Sequence, residues 1–172
     1  MAARGCSMWA VTMGIMVLFL VADLALNSSV EHDTYVAVEQ QHLAGGAYIM
    51  VYGCHVVLQV STFIVLVLMM GETYLFQVGL LQILASQFPA VLIIHPVYML
   101  YTIVLGAVRT SRLVGNSHVT DLWADQAYAA FSVGHKMIAV VYYVLNLRAA
   151  VKLGDPVYYQ RQDAWRLANA GK

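Results

Sequence analysis

The sequence predicts an all-α integral membrane protein: a four-helix bundle with a short interfacial helix and a cytoplasmic C-terminal tail. Three observations carry this. Hydrophobic residues make up 61% of the 172-residue chain and charged residues only 10%. The 18 charged residues, nine of each sign, compare with roughly a quarter of the residues in an ordinary soluble domain. Four stretches are also long and apolar enough to cross a hydrocarbon layer, which takes about 20 residues. Finally, no Lys or Arg occurs between residues 5 and 108, while five of the nine basic residues lie at or after Arg148. This composition excludes a disordered chain. A net charge of zero leaves no basic footprint for nucleic acid. Cys6 and Cys54 are too few for a disulfide scaffold, and they fall in different settings, before the first apolar run and inside the second.

The first span is expected at Met8–Leu26, broken only by Asp23. A signal peptide is the alternative, with Arg4 as its positive start and Trp9–Ala22 as its core. Against it, no small-x-small cleavage site follows, and Asp23 sits where the cleavage region would begin. The connector Asn27–Gly46 is polar and acidic, with Glu31, Asp33 and Glu39 and no basic residue. The second span is Ala47–Gly71. Glu72–Gln87 is too short and polar to span. Its Leu75, Phe76, Gly79, Leu80, Ile83 and Leu84 repeat at helical spacing, as in a helix lying in the interface or an extension of the third span. Pro89 marks a helix start, and the third span runs over Phe88–Val108. Arg109–Asp121 is a short polar loop. The fourth span, Ala127–Leu147, is the most polar. Residues 1–147 thus form the bundle and 148–172 the tail, with no internal repeat.

Basic residues near span ends favour the cytoplasm. With four spans, one side carries Arg4, Arg148, Lys152, Arg161, Arg166 and Lys172, and the other only Arg109 and Arg112. Both termini are therefore expected in the cytoplasm. Asn27-Ser28-Ser29 is a glycosylation sequon on the opposite side, close against the first span.

Ionisable groups inside a membrane are costly, so each is a functional candidate. Asp23 and Lys136 both fall in the outer half of the bilayer by helical rise, and a structural ion pair between them is the expected use. Asp125 stands near enough to join it. A proton or ion pathway and an unpaired, snorkelling Lys136 are the alternatives. His55 and His135 lie at one depth, about 12 Å from the outer ends of their helices. That makes them weak candidates for axial haem ligands, beside a hydrogen-bonded or water-lined reading for these and for His95. No cofactor, metal site or catalytic set is expected. Gln59, Ser61, Thr62 and the pair Ala130 and Gly134 read as packing features, and Tyr98, Tyr101, Tyr142 and Tyr143 as donors across helices or interfacial anchors.

The tail holds the sharpest motif. Arg148 and Lys152 share a helix face where they can meet anionic headgroups. Leu153-Gly154 fits a helix stop, and Asp155-Pro156 starts a new direction. Tyr158, Tyr159 and Trp165 then offer aromatic surface. These residues read either as a helix terminator with an anchor or as a partner-docking segment.

The run Ala150-Val151-Lys152-Leu153-Gly154-Asp155-Pro156, followed by Tyr158-Tyr159-Gln160 and Trp165, resembles the tail of the transmembrane protein 138 family. Ala139-Val140 and Tyr142, Phe76-Gln77, Gly79-Leu80, Val97-Tyr98, Asp23-Leu24 and Asn27-Ser28 are also similar to family positions, in order, from about Met13 to Trp165. His55, His95 and His135 are not part of that pattern. The resemblance implies a non-enzymatic four-span protein needed for building cilia, at the ciliary base or on vesicle or vacuolar membranes, with other membrane or ciliary proteins and the bilayer as partners. It also favours a retained first span. Two other readings stay open: an accessory subunit of a larger membrane complex, and a small channel, transporter or haem protein.

Overall fold

The computed structural model describes residues 2–29, 41–115 and 125–160, with side chains from residue 8 to 29, 49 to 111 and 125 to 160. The backbone is helical almost throughout. The elements are α1 (Ala2–Ser29), α2 (Gln41–Gly71), α3 (Tyr74–Gln77), α4 (Leu81–Gln87), α5 (Pro89–Gly115) and α6 (Gln126–Leu153), followed by a single 3₁₀ turn, Pro156–Tyr158. The membrane-spanning stretches are Met8–Ser29, Ile49–Gly71, Pro89–Ser111 and Gln126–Leu153. These are the four runs expected, the first, third and fourth extended at their C-terminal ends.

The four long helices run up, down, up and down. α2 lies between α1 and α5, α5 packs on α6, and α6 closes back onto α1 and α2. Large apolar side chains cover the outside: Ile93, Leu100, Val133, Met137, Val140 and Val144 are all exposed. Hydrocarbon tails are as apolar as these side chains, so facing them costs nothing. The polar residues point inward instead, where a buried donor or acceptor finds protein partners in place of water.

Two boundaries differ from the sequence reading. α5 does not stop at Val108. No Gly or Pro interrupts the chain until Gly115, so the helix runs on and carries Arg109 into the bundle, where it is buried. Arg109 lies seven residues after Thr102 and therefore on the same inward face. Glu72–Gln87 is neither a single flat helix nor an extension of α5. It folds into α3 and α4, joined at Gly79, whose φ of +78° suits glycine. Phe88 breaks the path again at φ −129°, ψ 36° before Pro89 opens α5. Leu75 and Leu84 are buried, so both short helices close over the end of the bundle that holds the start of α1 and the end of α6.

Candidate functional site

One carboxylate joins all four spans. Asp23 projects from α1 and is completely buried. His55 Nε2 of α2 lies 2.9 Å from its Oδ1. Tyr143 of α6 donates its hydroxyl to Oδ2 at 2.7 Å, and Tyr98 of α5 donates to the same oxygen at 3.3 Å. The partner expected from sequence, Lys136, is elsewhere: its Nζ donates to the Asn27 carbonyl oxygen at 3.4 Å. The reason is helical phase. Consecutive residues stand about 100° apart around a helix, so with His135 facing the core, Lys136 is turned to its flank. Asp125 does not join Asp23; its carboxylate caps α6 by accepting from the Ala127 N–H at 2.9 Å.

The polar stripe continues along the bundle axis. Gln59 of α2 donates from Nε2 to Thr102 Oγ1 of α5 at 3.0 Å. That hydroxyl donates to the Tyr98 carbonyl and lies 2.9 Å from His135 Nε2. His95 Nε2 lies 2.9 Å from the Gln59 carbonyl oxygen. Aromatic rings fill the space between: Tyr98 stacks on Tyr142 at 4.4 Å and on His135 at 5.1 Å, and His95 meets Tyr142 edge-on at 5.0 Å. Towards the Arg109 end, His55, His135, Arg109, Tyr52 and Ser132 surround a cavity of about 10 Å³, close to the volume one water needs.

His55 and His135 do come together, with ring centroids 6.4 Å apart. Their Nε2 atoms are directed to Asp23 and Thr102 rather than to a common point. Asp23 Oδ1 and Thr102 Oγ1, each 2.9 Å from one of these Nε2 atoms, stand where an iron would have to bind. The donor set and its surroundings do not fit a haem. No cluster of three His, Cys, Asp or Glu side chains suited to a metal occurs among the described residues.

The tail motif folds back onto the bundle. Gly154 sits against the indole of Trp9, so closely that a Cβ there would lie 2.6 Å from Trp9 Cε2 and Cζ2. Trp9 Nε1 donates to the Ala150 carbonyl at 3.1 Å, tying the start of α1 to the end of α6. Leu153 is fully buried. Asp155 caps the 3₁₀ turn by accepting from Val157 N–H at 3.0 Å, and Pro156 sets that turn's first dihedral. Tyr158 is buried against Phe88, ring centroids 5.7 Å apart. Lys152 donates to Gln87 Oε1 and to its carbonyl, with its ammonium 4.8 Å from the Phe88 ring centre. Burial raises the pKa of the Tyr158 hydroxyl, and the Asp155 charge raises it further; for Tyr159 burial acts first and the Glu72 charge second. Arg148, Lys152, Asp155 and Pro156 remain exposed, and Tyr159 is half-buried. Trp165 lies outside the described residues.

Asn27 occupies the last turns of α1, half-buried, and lines the small cavity. That setting is unlike the surface loop of an acceptor asparagine. Sequence reasoning missed Trp9 as the tail's partner and Thr102 and Arg109 as core groups. The signal for the latter two was available: His95, Tyr98, Thr102 and Arg109 are spaced by three, four and seven residues, one face of a helix.

The family model described as transmembrane protein 138 matches residues 48–168, which takes in α2 to the tail and leaves Asp23 and Asn27 outside the match. A zebrafish (Danio rerio) protein named transmembrane protein 138 is 35% identical over 98 residues, which are 56% of this chain and 59% of the relative. The proteins of that name from Xenopus tropicalis and Mus musculus are 33% and 34% identical, each over 56% of this chain and 58% and 59% of their own. The chain thus spans somewhat under two thirds of the length of these curated relatives. No solved structure matches it. On a family match covering α2, α5, α6 and the tail motif together, the chain belongs to the transmembrane protein 138 family.

Proposed function

We propose that the chain is a non-enzymatic membrane protein of cilium assembly, acting in ciliary membrane trafficking through protein contacts at the end that carries both termini. The ciliary assignment comes from the family resemblance of the tail motif. The observation that supports a scaffold rather than a transport or catalytic role is the set of contacts around Asp23. Tyrosine hydroxyls of α5 and α6 both donate to its Oδ2, and His55 of α2 stands 2.9 Å from Oδ1, so this carboxylate, buried in the bundle's centre, serves to join helices. The tail motif is locked in the same way, through Trp9 and Phe88, which gives a fixed surface bearing Arg148, Asp155 and Pro156. A fixed surface loses little entropy on docking a partner. The excess of basic residues at this end supports a cytoplasmic side for it.

Co-purification from native ciliated-cell membranes tests the reading directly. Recovery of ciliary trafficking proteins with the intact chain, reduced by Asp155→Lys, is the expected result. Normal cilia in number and membrane composition in cells lacking the protein would overturn it. Recovery of a constant set of subunits from another organelle would favour the accessory-subunit reading instead.

A further inference from the structure

A cavity of about 280 Å³ opens between the end of α6 and the start of α5, at the edge of the proposed docking surface and sharing Arg148 with it. We infer that it is a binding site for the phosphate of an anionic phospholipid headgroup. Three sources of positive potential converge there. Arg148 lines it and has no hydrogen bond or ion pair among the described residues. Lys152 lines it from one turn further on, held in place by Gln87. The first turn of the 27-residue helix α5, at Pro89, Ala90 and Val91, forms the facing wall. Pro89 has no N–H, but those of Ala90 and Val91 belong to the first turn, where no intrahelical acceptor exists, and the helix dipole is positive at that end. No acidic side chain is among the described residues that line the cavity.

The rest of the wall is apolar, from Phe88, Leu145 and Ala149. A phosphate with an attached hydrocarbon chain matches this division, and a free phosphate does not use the apolar part. The depth agrees as well. The cavity sits where two membrane spans end, at Pro89 and just short of Leu153, which is headgroup level. Basic pockets between spans at that level bind anionic headgroups in membrane proteins generally. On the proposed orientation this is the cytoplasmic leaflet, where anionic lipid is concentrated.

The full chain, purified from vesicles of phosphatidylcholine mixed with phosphatidylserine, is analysed for retained lipid by native mass spectrometry. Wild type is expected to retain phosphatidylserine in preference to phosphatidylcholine. Arg148→Gln is expected to lower that preference about fivefold, as removal of one interfacial cation should, and Arg148→Lys to restore most of it. Arg148 is exposed and unpartnered, so the variant removes no packing, and an unchanged melting temperature checks this. Equal retention of both lipids by wild type, or an unaltered preference in Arg148→Gln, would overturn the inference. Displacement of the retained lipid by inorganic phosphate at millimolar concentration would assign the site to free phosphate and overturn the lipid assignment.

Discussion

Asp23 Oδ1 and His55 Nε2 lie 2.9 Å apart across the α1–α2 interface, with both side chains closed off from the exterior. Replacing Asp23 by Ala would leave Tyr98 and Tyr143 without their shared acceptor and His55 without the carboxylate beside it. Each polar contact between membrane helices is worth about 0.6 to 2 kcal/mol, so a loss of about 2–4 kcal/mol is expected. Asp23→Asn keeps the shape and one acceptor oxygen and should lose roughly half as much. Detergent-resistant unfolding measured by circular dichroism would show the order wild type, Asp23→Asn, Asp23→Ala.

Lys136→Met separates this arrangement from the pairing that sequence depth suggested. Lys136 donates to the Asn27 carbonyl at 3.4 Å, a long contact at the flank of α6. Its replacement is expected to cost less than that of Asp23, which takes a shared acceptor from two other spans at once. If Lys136→Met proved as damaging as Asp23→Ala in the same unfolding assay, with no added loss in the double variant, Asp23 and Lys136 would be coupled after all.

Four spans, their order and the tail's turn were readable because each depends on local composition: apolar runs of bilayer length, Pro89 at a helix start, Gly154 and Pro156 at a helix end. The pairing of Asp23 was not, because depth along a helix says nothing about rotation around it. Rotation was nevertheless written in α6. Apart from Ala150, its buried residues are Tyr128, Ser132, His135, Ala139, Tyr142, Asn146, Ala149 and Leu153, spaced alternately by four and three. This is the seam spacing of packed helices, with polar residues where a soluble bundle has apolar ones. Reading that seam would have put His135 inward and Lys136 to the side. The Trp9–Gly154 contact could not be read in this way, because it joins residues 145 positions apart and depends on where two helices end.

Gly154 is expected to tolerate no larger side chain. Gly154→Val places atoms inside contact distance of the Trp9 ring, and overpacking of this kind costs about 1–3 kcal/mol. The added volume should push the indole off the Ala150 carbonyl and free the 3₁₀ turn. Trimming the obstacle is the check. Trp9→Leu alone should destabilise, whereas Trp9→Leu combined with Gly154→Val should lose less than the two single losses added together. Simple additivity in a double-mutant cycle would show that the two residues do not press on each other.

Tyr158 provides a pH-dependent report on the same clasp. Burial, then the Asp155 charge, raises its hydroxyl above the usual value of about 10. The docked ring therefore keeps its proton at a pH where an undocked tyrosine has lost it. Its contribution to docking is complete below about pH 10 and declines as pH rises past that value, because the undocked form then binds fewer protons. The Tyr158 ionisation midpoint is obtained from tyrosinate absorbance, as the difference between the intact chain and Tyr158→Phe in detergent. It should lie above 10. In the Gly154→Val background, with Trp9 and the tail forced apart, the midpoint should return towards 10. A midpoint unmoved by Gly154→Val would mean that Tyr158 stays against Phe88 without the Trp9 contact, and that the 3₁₀ turn is held by Asp155 and Phe88 alone.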